Sequence, residues 1–264
     1  MLYGTAWKKS DTARLVALAI RQGFRGIDTA CQPKHYDELG VGEGIAACLG
    51  PTLTRADLYL QTKFTSVSGQ DPSNIPYDRA APLAAQVAES CSVSLHNLRT
   101  CYLDALVLHG LLSTMRETLE VWRAMEHLID QGVVRQLGIS NCYQLGELKA
   151  LHRAGRIKPT IVQNRFYSDT GYDREIRAFC RLHGLVYQSF WTLTANPKLF
   201  SHPTMTTIAS THRRTPAQVL FRYLNQSGVV PLTGTRSETH MREDLAIFAF
   251  ELTPADRVAL DALL

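Results

Sequence analysis

The 264 residues include 28 Lys and Arg against 24 Asp and Glu, with 45% hydrophobic and 20% charged residues, the balance of an ordinary globular chain able to bury a large core. The net charge of +4 is spread along the chain, and its densest cluster, Arg213-Arg214, is too small to argue for a nucleic-acid partner. No apolar run nears the roughly 18 residues of a membrane span, and Met1–Ser10 lacks the apolar stretch of a secretion signal; a cytoplasmic protein is expected.

Eight short strand-like runs follow one another: Leu2–Thr5, Phe24–Asp28, Leu58–Lys63, Tyr102–His109, Val133–Ser140, Thr160–Gln163, Leu185–Phe190 and Val229–Thr233. Helical stripes fill the gaps. Leu15, Leu18 and Ala19 form one, Val41, Ile45, Cys48 and Leu49 a second, and Leu83, Val87, Cys91, Leu95 and Leu98 the clearest. Later stripes run through Leu119, Trp122, Met125 and Ile129, through Leu145, Leu148 and Leu151, and through Ile176, Phe179, Cys180 and His183. Thr215-Pro216-Ala217-Gln218 and Thr253-Pro254-Ala255-Asp256 read as helix starts with Pro at the first position. Gly132, Gly155 and Gly184 fall just past helical segments.

Eight βα units with no linker predict one α/β domain over residues 1–264, a closed (β/α)8 TIM barrel. An open dinucleotide-binding sheet would carry a G-x-G-x-x-G turn after its first strand; Gly4-Thr5-Ala6-Trp7-Lys8 has none. The cysteines, at 31, 48, 91, 101, 142 and 180, lack Cys-x-x-Cys spacing, so no metal is expected and six reduced thiols are. Cys31 is the one placed to meet a ligand. Two long irregular stretches, Thr65–Asp78 and Trp191–Pro203, follow strands and are expected at the barrel mouth.

Three strand-like runs end in ionisable residues: Asp28, Lys63 and His109. Parallel neighbours in a barrel would bring these to one face, with Tyr36 just downstream of Asp28. A carboxylate that keeps an ammonium charged, an ammonium beside a phenol, and an imidazole are the parts of a proton-donating site.

The residues that carry a resemblance are Gly-Phe-Arg-Gly-Ile-Asp-Thr-Ala from Gly23, His-Tyr-Asp-Glu-Leu-Gly-Val-Gly from His35, Gln61-Thr62-Lys63-Phe64 and Val107-Leu108-His109-Gly110. They continue with Gly138-Ile139-Ser140-Asn141, Gln163-Asn164, Gln188-Ser189-Phe190 and Val230-Pro231-Leu232-Thr233-Gly234-Thr235. In this order the chain resembles the aldo-keto reductase superfamily over nearly its whole length. The resemblance implies an enzyme reducing an aldehyde or ketone with NADPH. It makes Tyr36 the general acid, Lys63 the group that lowers its pKa, Asp28 the partner of Lys63 and His109 the residue that orients the carbonyl.

It also implies that Ser140, Asn141 and Gln163 hold the nicotinamide carboxamide and that Phe190 forms the platform under the ring. Gly4, Thr5 and Leu193 join the cofactor site, and Leu232, Thr233, Gly234, Thr235, Arg236, His240, Glu243 and Asp244 surround the adenosine end. Leu232 replaces a lysine found in many relatives; Arg236, His240 and Arg242 lie nearby and could replace its charge toward the 2′-phosphate, and NADH is the preference expected if none of them reaches it. Trp7, Phe64 and Trp191, with the Thr65–Asp78 loop, are expected to shape the substrate pocket. The N-terminal hairpin and C-terminal substrate loop of many relatives are not expected here. Asp28 and Tyr36 stand eight apart, wider than in many relatives, so Cys31–Lys34 must bulge. A cofactor-binding regulatory subunit with little turnover is the alternative, and a monomer the default.

Overall fold

Short, mostly buried runs of three to six residues build eight strands, and all are parallel. The computed structural model describes residues 1–264. Its strands are β1 (Leu2–Gly4), β2 (Gly26–Asp28), β3 (Tyr59–Phe64), β4 (Ala105–Leu108), β5 (Leu137–Ser140), β6 (Ile161–Arg165), β7 (Val186–Phe190) and β8 (Val229–Thr233). They hydrogen-bond in chain order and close, β8 pairing with β1. The expected TIM barrel is therefore the observed one, with every expected strand present; β8 has the expected bounds and the other seven have shifted ends. The largest shift is in Val133–Ser140, where only Leu137–Ser140 joins the sheet and Val134 makes a lone bridge to Leu103.

Helices pack around the strands: α1 (Thr12–Gln22), α2 (Glu38–Ala46), α3 (Leu83–Asn97), α4 (Met115–Asp130), α5 (Leu145–Ala154) and α6 (Arg174–His183). They continue with α7 (Pro197–Phe200), α8 (Pro203–His212), α9 (Pro216–Gln226), α10 (Glu238–Leu245) and α11 (Pro254–Asp261). Helix α2 stops before Cys48 and Leu49, which the apolar stripe had included. Both expected starts are capping boxes: the Thr215 and Thr253 hydroxyls accept from the backbone N–H of Gln218 and Asp256, whose side chains accept in return. None of the helices is long and apolar enough to cross a membrane. All six cysteines are free thiols.

The apolar core lies between the barrel wall and the helices. The barrel interior is polar. Strand period two turns Gln61 and Lys63 inward and Leu60, Thr62 and Phe64 outward. Inside, the Gln61 amide donates to Asp28 Oδ1 at 2.6 Å and to Gln188 Oε1 at 2.9 Å, and Gln163 donates to the same two oxygens at 2.9 Å each. Gln188 donates back to Gln61 at 3.0 Å. Three amides thus form an interlocked layer, with only the Gln163 oxygen left free, where many barrels stack aliphatic side chains.

Helix α2 meets the end of α3 so closely that only glycine fits at position 42. A Cβ there would overlap the Asn97 carbonyl oxygen and press on the Leu98 backbone at 3.0 Å, whereas Gly146 on α5 faces open space. Gly42→Ala is expected to destabilise the fold by about 1–3 kcal/mol through overpacking. Gly146→Ala should be neutral or stabilising by up to about 1 kcal/mol. Urea unfolding of the two variants checks both.

Candidate active site

The acid, the amine and the imidazole expected at the strand ends come together at the C-terminal mouth. Lys63 Nζ donates to both carboxylate oxygens of Asp28, at 2.8 and 2.7 Å, and to the Thr29 carbonyl at 2.8 Å. Both residues are almost fully enclosed, with side-chain exposures of 1% and 4%. A buried ammonium without such partners would shed its proton. Burial pulls the Lys63 pKa down and the Asp28 carboxylate opposes it.

Tyr36 reaches this pair because the Cys31–Lys34 insertion folds into a turn. The backbone N–H groups of His35 and Tyr36 both bond to the Gln32 carbonyl, at 3.1 and 3.0 Å, and the Trp7 N–H bonds to the His35 carbonyl at 2.7 Å. The turn also leads into α2, whose first turn is capped by Asp37 accepting from the Gly40 N–H at 2.9 Å. Lys63 Nζ lies 5.3 Å from the Tyr36 ring centroid. The Tyr36 and His109 rings meet edge to face, 6.0 Å apart. The Tyr36 hydroxyl bonds no protein group and opens into the cavity.

One expectation is reversed. The Tyr36 pKa is pushed up, not down, by burial first and the Asp28 carboxylate second. Lys63 is bound to Asp28 at contact distance, so its ammonium does not act on the phenol alone. His109 is pulled down to about 3 by burial and then by the Lys63 charge, so its imidazole is neutral at pH 7. Its Nδ1 lies 2.6 Å from the Thr65 hydroxyl.

A cavity of about 900 Å³ opens above this cluster. Asp28, Tyr36, His109, Ser140, Asn141 and Gln163 line one part. Gly4, Trp7, Phe190, Trp191, Leu193 and Leu232 line its walls, and Thr233, Gly234, Thr235, Arg236, His240, Glu243 and Asp244 line the far end. Lys63 lies beneath the floor, reaching the cavity only through its neighbours. The Asn141 amide donates to the His109 carbonyl at 2.7 Å, and Ser140 Oγ donates to the Gln163 carbonyl at 2.7 Å. The Gln163 side-chain oxygen has no protein partner and stays accessible. Trp7 and Trp191 take left-handed φ values of 62° and 54° and are half exposed at the rim, strained positions for bulky residues.

Several expected site residues lie elsewhere. Phe64 is wholly buried against Tyr77, with ring centroids 5.7 Å apart, because the alternation that turns Lys63 inward turns its neighbour outward. Thr5 is enclosed in the wall, its hydroxyl donating to the Asp28 carbonyl at 3.0 Å. Cys31 is buried beside Glu38, and burial, then the carboxylate, push its thiol up to about 12. The Thr65–Asp78 segment does not overhang the cavity. Gln32 donates to the Gly69 carbonyl at 2.7 Å and Gln70 to the Cys31 carbonyl at 2.9 Å, which draws the loop against the outer side of the Tyr36 turn. Arg242 pairs with Glu238 at 2.8 Å and does not line the cavity.

Residues not singled out in the sequence also line it. Lys8 donates to the Gly234 carbonyl, and burial, then the charge of Arg236, brings its ammonium down to about 8. The Arg165 guanidinium lies 4.2 Å from the Trp191 ring centroid; its place two residues after Gln163 on an inward-facing strand was the available signal. Gln32 and His35 come from the Tyr36 turn. Thr215, Ala217 and Phe221 come from the start of α9, for which no strand-end pattern exists.

The family model described as the Aldo/keto reductase family matches residues 1–264. The oxidoreductase YtbE of Bacillus subtilis is 31% identical over 255 residues, covering 96% of this chain and 84% of the relative. A glyoxal reductase of the same organism is 28% identical over 258 residues, covering 96% and 84%. Among solved structures, an aldo/keto reductase from Brucella melitensis superposes with a TM-score of 0.84 at 27% identity, covering 100% of this chain and 94% of that one. A Bombyx mori aldo-keto reductase in complex with NADP gives 0.83 at 25% identity, covering 99% and 88%. The chain belongs to the aldo/keto reductase family and is an oxidoreductase of that family.

Asp244 supplies a test of the far end. It accepts from the Thr233 hydroxyl at 2.7 Å, and burial raises its carboxyl from 3.8 to about 6. The folded state therefore holds this proton more tightly than the unfolded chain does. The associated stability is complete below pH 3.8 and is lost as pH rises through about 6. Relative to Asp244→Asn, the wild type is expected to lose on the order of 3 kcal/mol between those pH values. Chemical denaturation of both proteins across that range reads the difference.

Proposed function

We propose that the protein is an NADP(H)-dependent reductase of aldehydes or ketones, with Tyr36 as the general acid. The observation that carries this reading is the placement of an unbonded phenol and a neutral imidazole side by side over one buried Lys–Asp pair. The cavity suits a dinucleotide. Near Tyr36 it offers the Asn141 amide and the free Gln163 oxygen to a carboxamide, with the half-buried Phe190 as an aromatic wall. At the other end Lys8 and Arg236 offer positive charge to phosphates, with the His240 ring beside them. Lys8 and Arg236 replace the charge that Leu232 lacks, which supports NADPH over NADH. The Bombyx mori neighbour, solved with NADP, supports the same cofactor.

When bound, that cofactor supplies a hydride to the carbonyl carbon. Negative charge then develops on the carbonyl oxygen, where hydrogen-bond donors are worth most. The Tyr36 hydroxyl donates its proton to that oxygen, and its raised pKa keeps the proton in place until then. Lys63 lies beneath the phenolate that remains, and Asp28 keeps Lys63 charged. His109, neutral, donates a hydrogen bond from the ring nitrogen open to the cavity. Trp7 and Trp191 at the rim frame the entry for the substrate.

Tyr36→Phe is expected to lower kcat by roughly 10²–10⁴-fold, the usual worth of a positioned acid, with NADPH affinity unchanged by fluorescence titration. Turnover is read as NADPH oxidation with a panel of aromatic aldehydes, ketones and sugars. Tight cofactor binding by the wild type with no turnover of any carbonyl would refute the enzyme reading and favour a regulatory subunit.

A further inference from the structure

We infer that Thr65 is a positioning residue that fixes the tautomer of His109: its hydroxyl donates to Nδ1, which leaves the ring proton on Nε2, the nitrogen facing the cavity. This rests on the reading of His109 as a donor to the substrate oxygen. Thr65 directly follows β3. Lys63 points inward and Phe64 outward, so Thr65 turns inward again, next to His109. The His109 backbone N–H bonds to the Phe64 carbonyl at 2.9 Å, which fixes the two residues side by side. The Thr65 carbonyl is itself clamped, accepting from the Tyr77 hydroxyl at 2.6 Å and from Gln70 at 3.2 Å. The side chain is therefore held in place, and its hydroxyl lies 2.6 Å from Nδ1.

The direction of that bond follows from its surroundings. Thr65 is 4% exposed, and its hydroxyl has no other partner in the structure. If the hydroxyl donates to Nδ1, its hydrogen is satisfied. If Nδ1–H donates instead, a buried hydroxyl hydrogen is left with no acceptor, an arrangement folded proteins avoid. Nε2 has no protein partner and is not enclosed, so a proton there is free to meet a ligand. The neutral ring has one N–H, and Thr65 decides which nitrogen bears it.

Long-range ¹⁵N–¹H correlation spectra of the full chain, labelled at histidine, read the tautomer with and without NADPH. The wild type is expected to show His109 protonated on Nε2. Thr65→Val should convert it to a mixture or to the Nδ1–H form, and Thr65→Ser should keep the wild-type pattern. Turnover of a carbonyl that the wild type reduces should fall roughly 10-fold in kcat for Thr65→Val, short of the roughly 100-fold cost of losing a donor outright. KM and NADPH affinity should hold, and Thr65→Ser should restore kcat.

A wild-type ring protonated on Nδ1, or a Thr65→Val spectrum identical to wild type, would overturn the assignment of Thr65. A tautomer that shifts as expected with kcat unchanged would instead overturn the donor role of His109, leaving the Thr65–His109 bond intact. If Thr65→Val does not fold, the wild-type and Thr65→Ser spectra still decide the tautomer, since a ring protonated on Nδ1 in either refutes the proposal.

Discussion

The contact between Lys63 and Asp28 is the constraint around which the mouth of the barrel is arranged. A charge in a site with 1% exposure is tolerable only with an opposite charge and full hydrogen bonding. Here the carboxylate collects two bonds from Lys63, one from Gln61 and one from Gln163. Those bonds tie β2 to β3 and β6 across the barrel interior. They also explain why three glutamines stand where branched aliphatics usually do. An apolar layer at that height would leave Asp28 with too few donors. Losing one member of such a pair typically costs about 3–5 kcal/mol, because the other is left buried and alone. The pair is as much a part of the fold as of the site.

The same pair shapes what sits above it. The phenol, buried and near the Asp28 carboxylate, is not drawn toward ionisation, and burial, then the Lys63 charge, keeps the imidazole uncharged. The phenol, the imidazole and the Asn141 amide facing the reacting end of the cavity are thus uncharged. Lys8 and Arg236 bring positive charge to the far end, around the Gly234 turn, while Arg165 stands against Trp191 on the wall. Arg236 bonds to the Trp7 carbonyl at 2.8 Å and pairs with Asp11 at 3.1 Å, so the loops after β1 and β8 are held together at that end. A ligand with one polar uncharged end and one anionic end matches this separation.

The barrel was legible from eight strand-like runs alternating with helical stripes, and its mouth from three of them that end in residues apolar patterning cannot explain. Asp28, Lys63 and His109 interrupt runs of buried aliphatics, and period two places them on the inner face. The same rule places Phe64 outside, so its assignment to the pocket was an error that the alternation itself corrects. What the pattern did not reveal lies in turns and in amides. The bulge after Ala30 is held by backbone bonds to the Gln32 carbonyl, which composition does not encode. The Thr65–Asp78 loop is drawn outward by two glutamine side chains bonding to backbone carbonyls far along the chain. Gln61 and Gln188 look like polar interruptions of strands until their cross-barrel partners are known. The upward shift of Tyr36 was likewise invisible, since a nearby lysine suggests the opposite until its carboxylate is seen at 2.7 Å.

The amide layer has a consequence for where protons travel. Carboxamides at neutral pH neither release nor take up a proton readily, so the interlocked Gln61, Gln163 and Gln188 insulate the underside of the Lys63–Asp28 pair. Directly below the layer the Tyr59 hydroxyl donates to Gln61 Oε1 at 3.2 Å, so the next group toward the N-terminal end meets an amide, not the pair. A tyrosine that has given up its hydrogen must be recharged from water arriving through the same opening that admits the ligands. Refilling the acid therefore becomes a matter of traffic at the entrance, where Trp7 and Trp191 stand half in solvent.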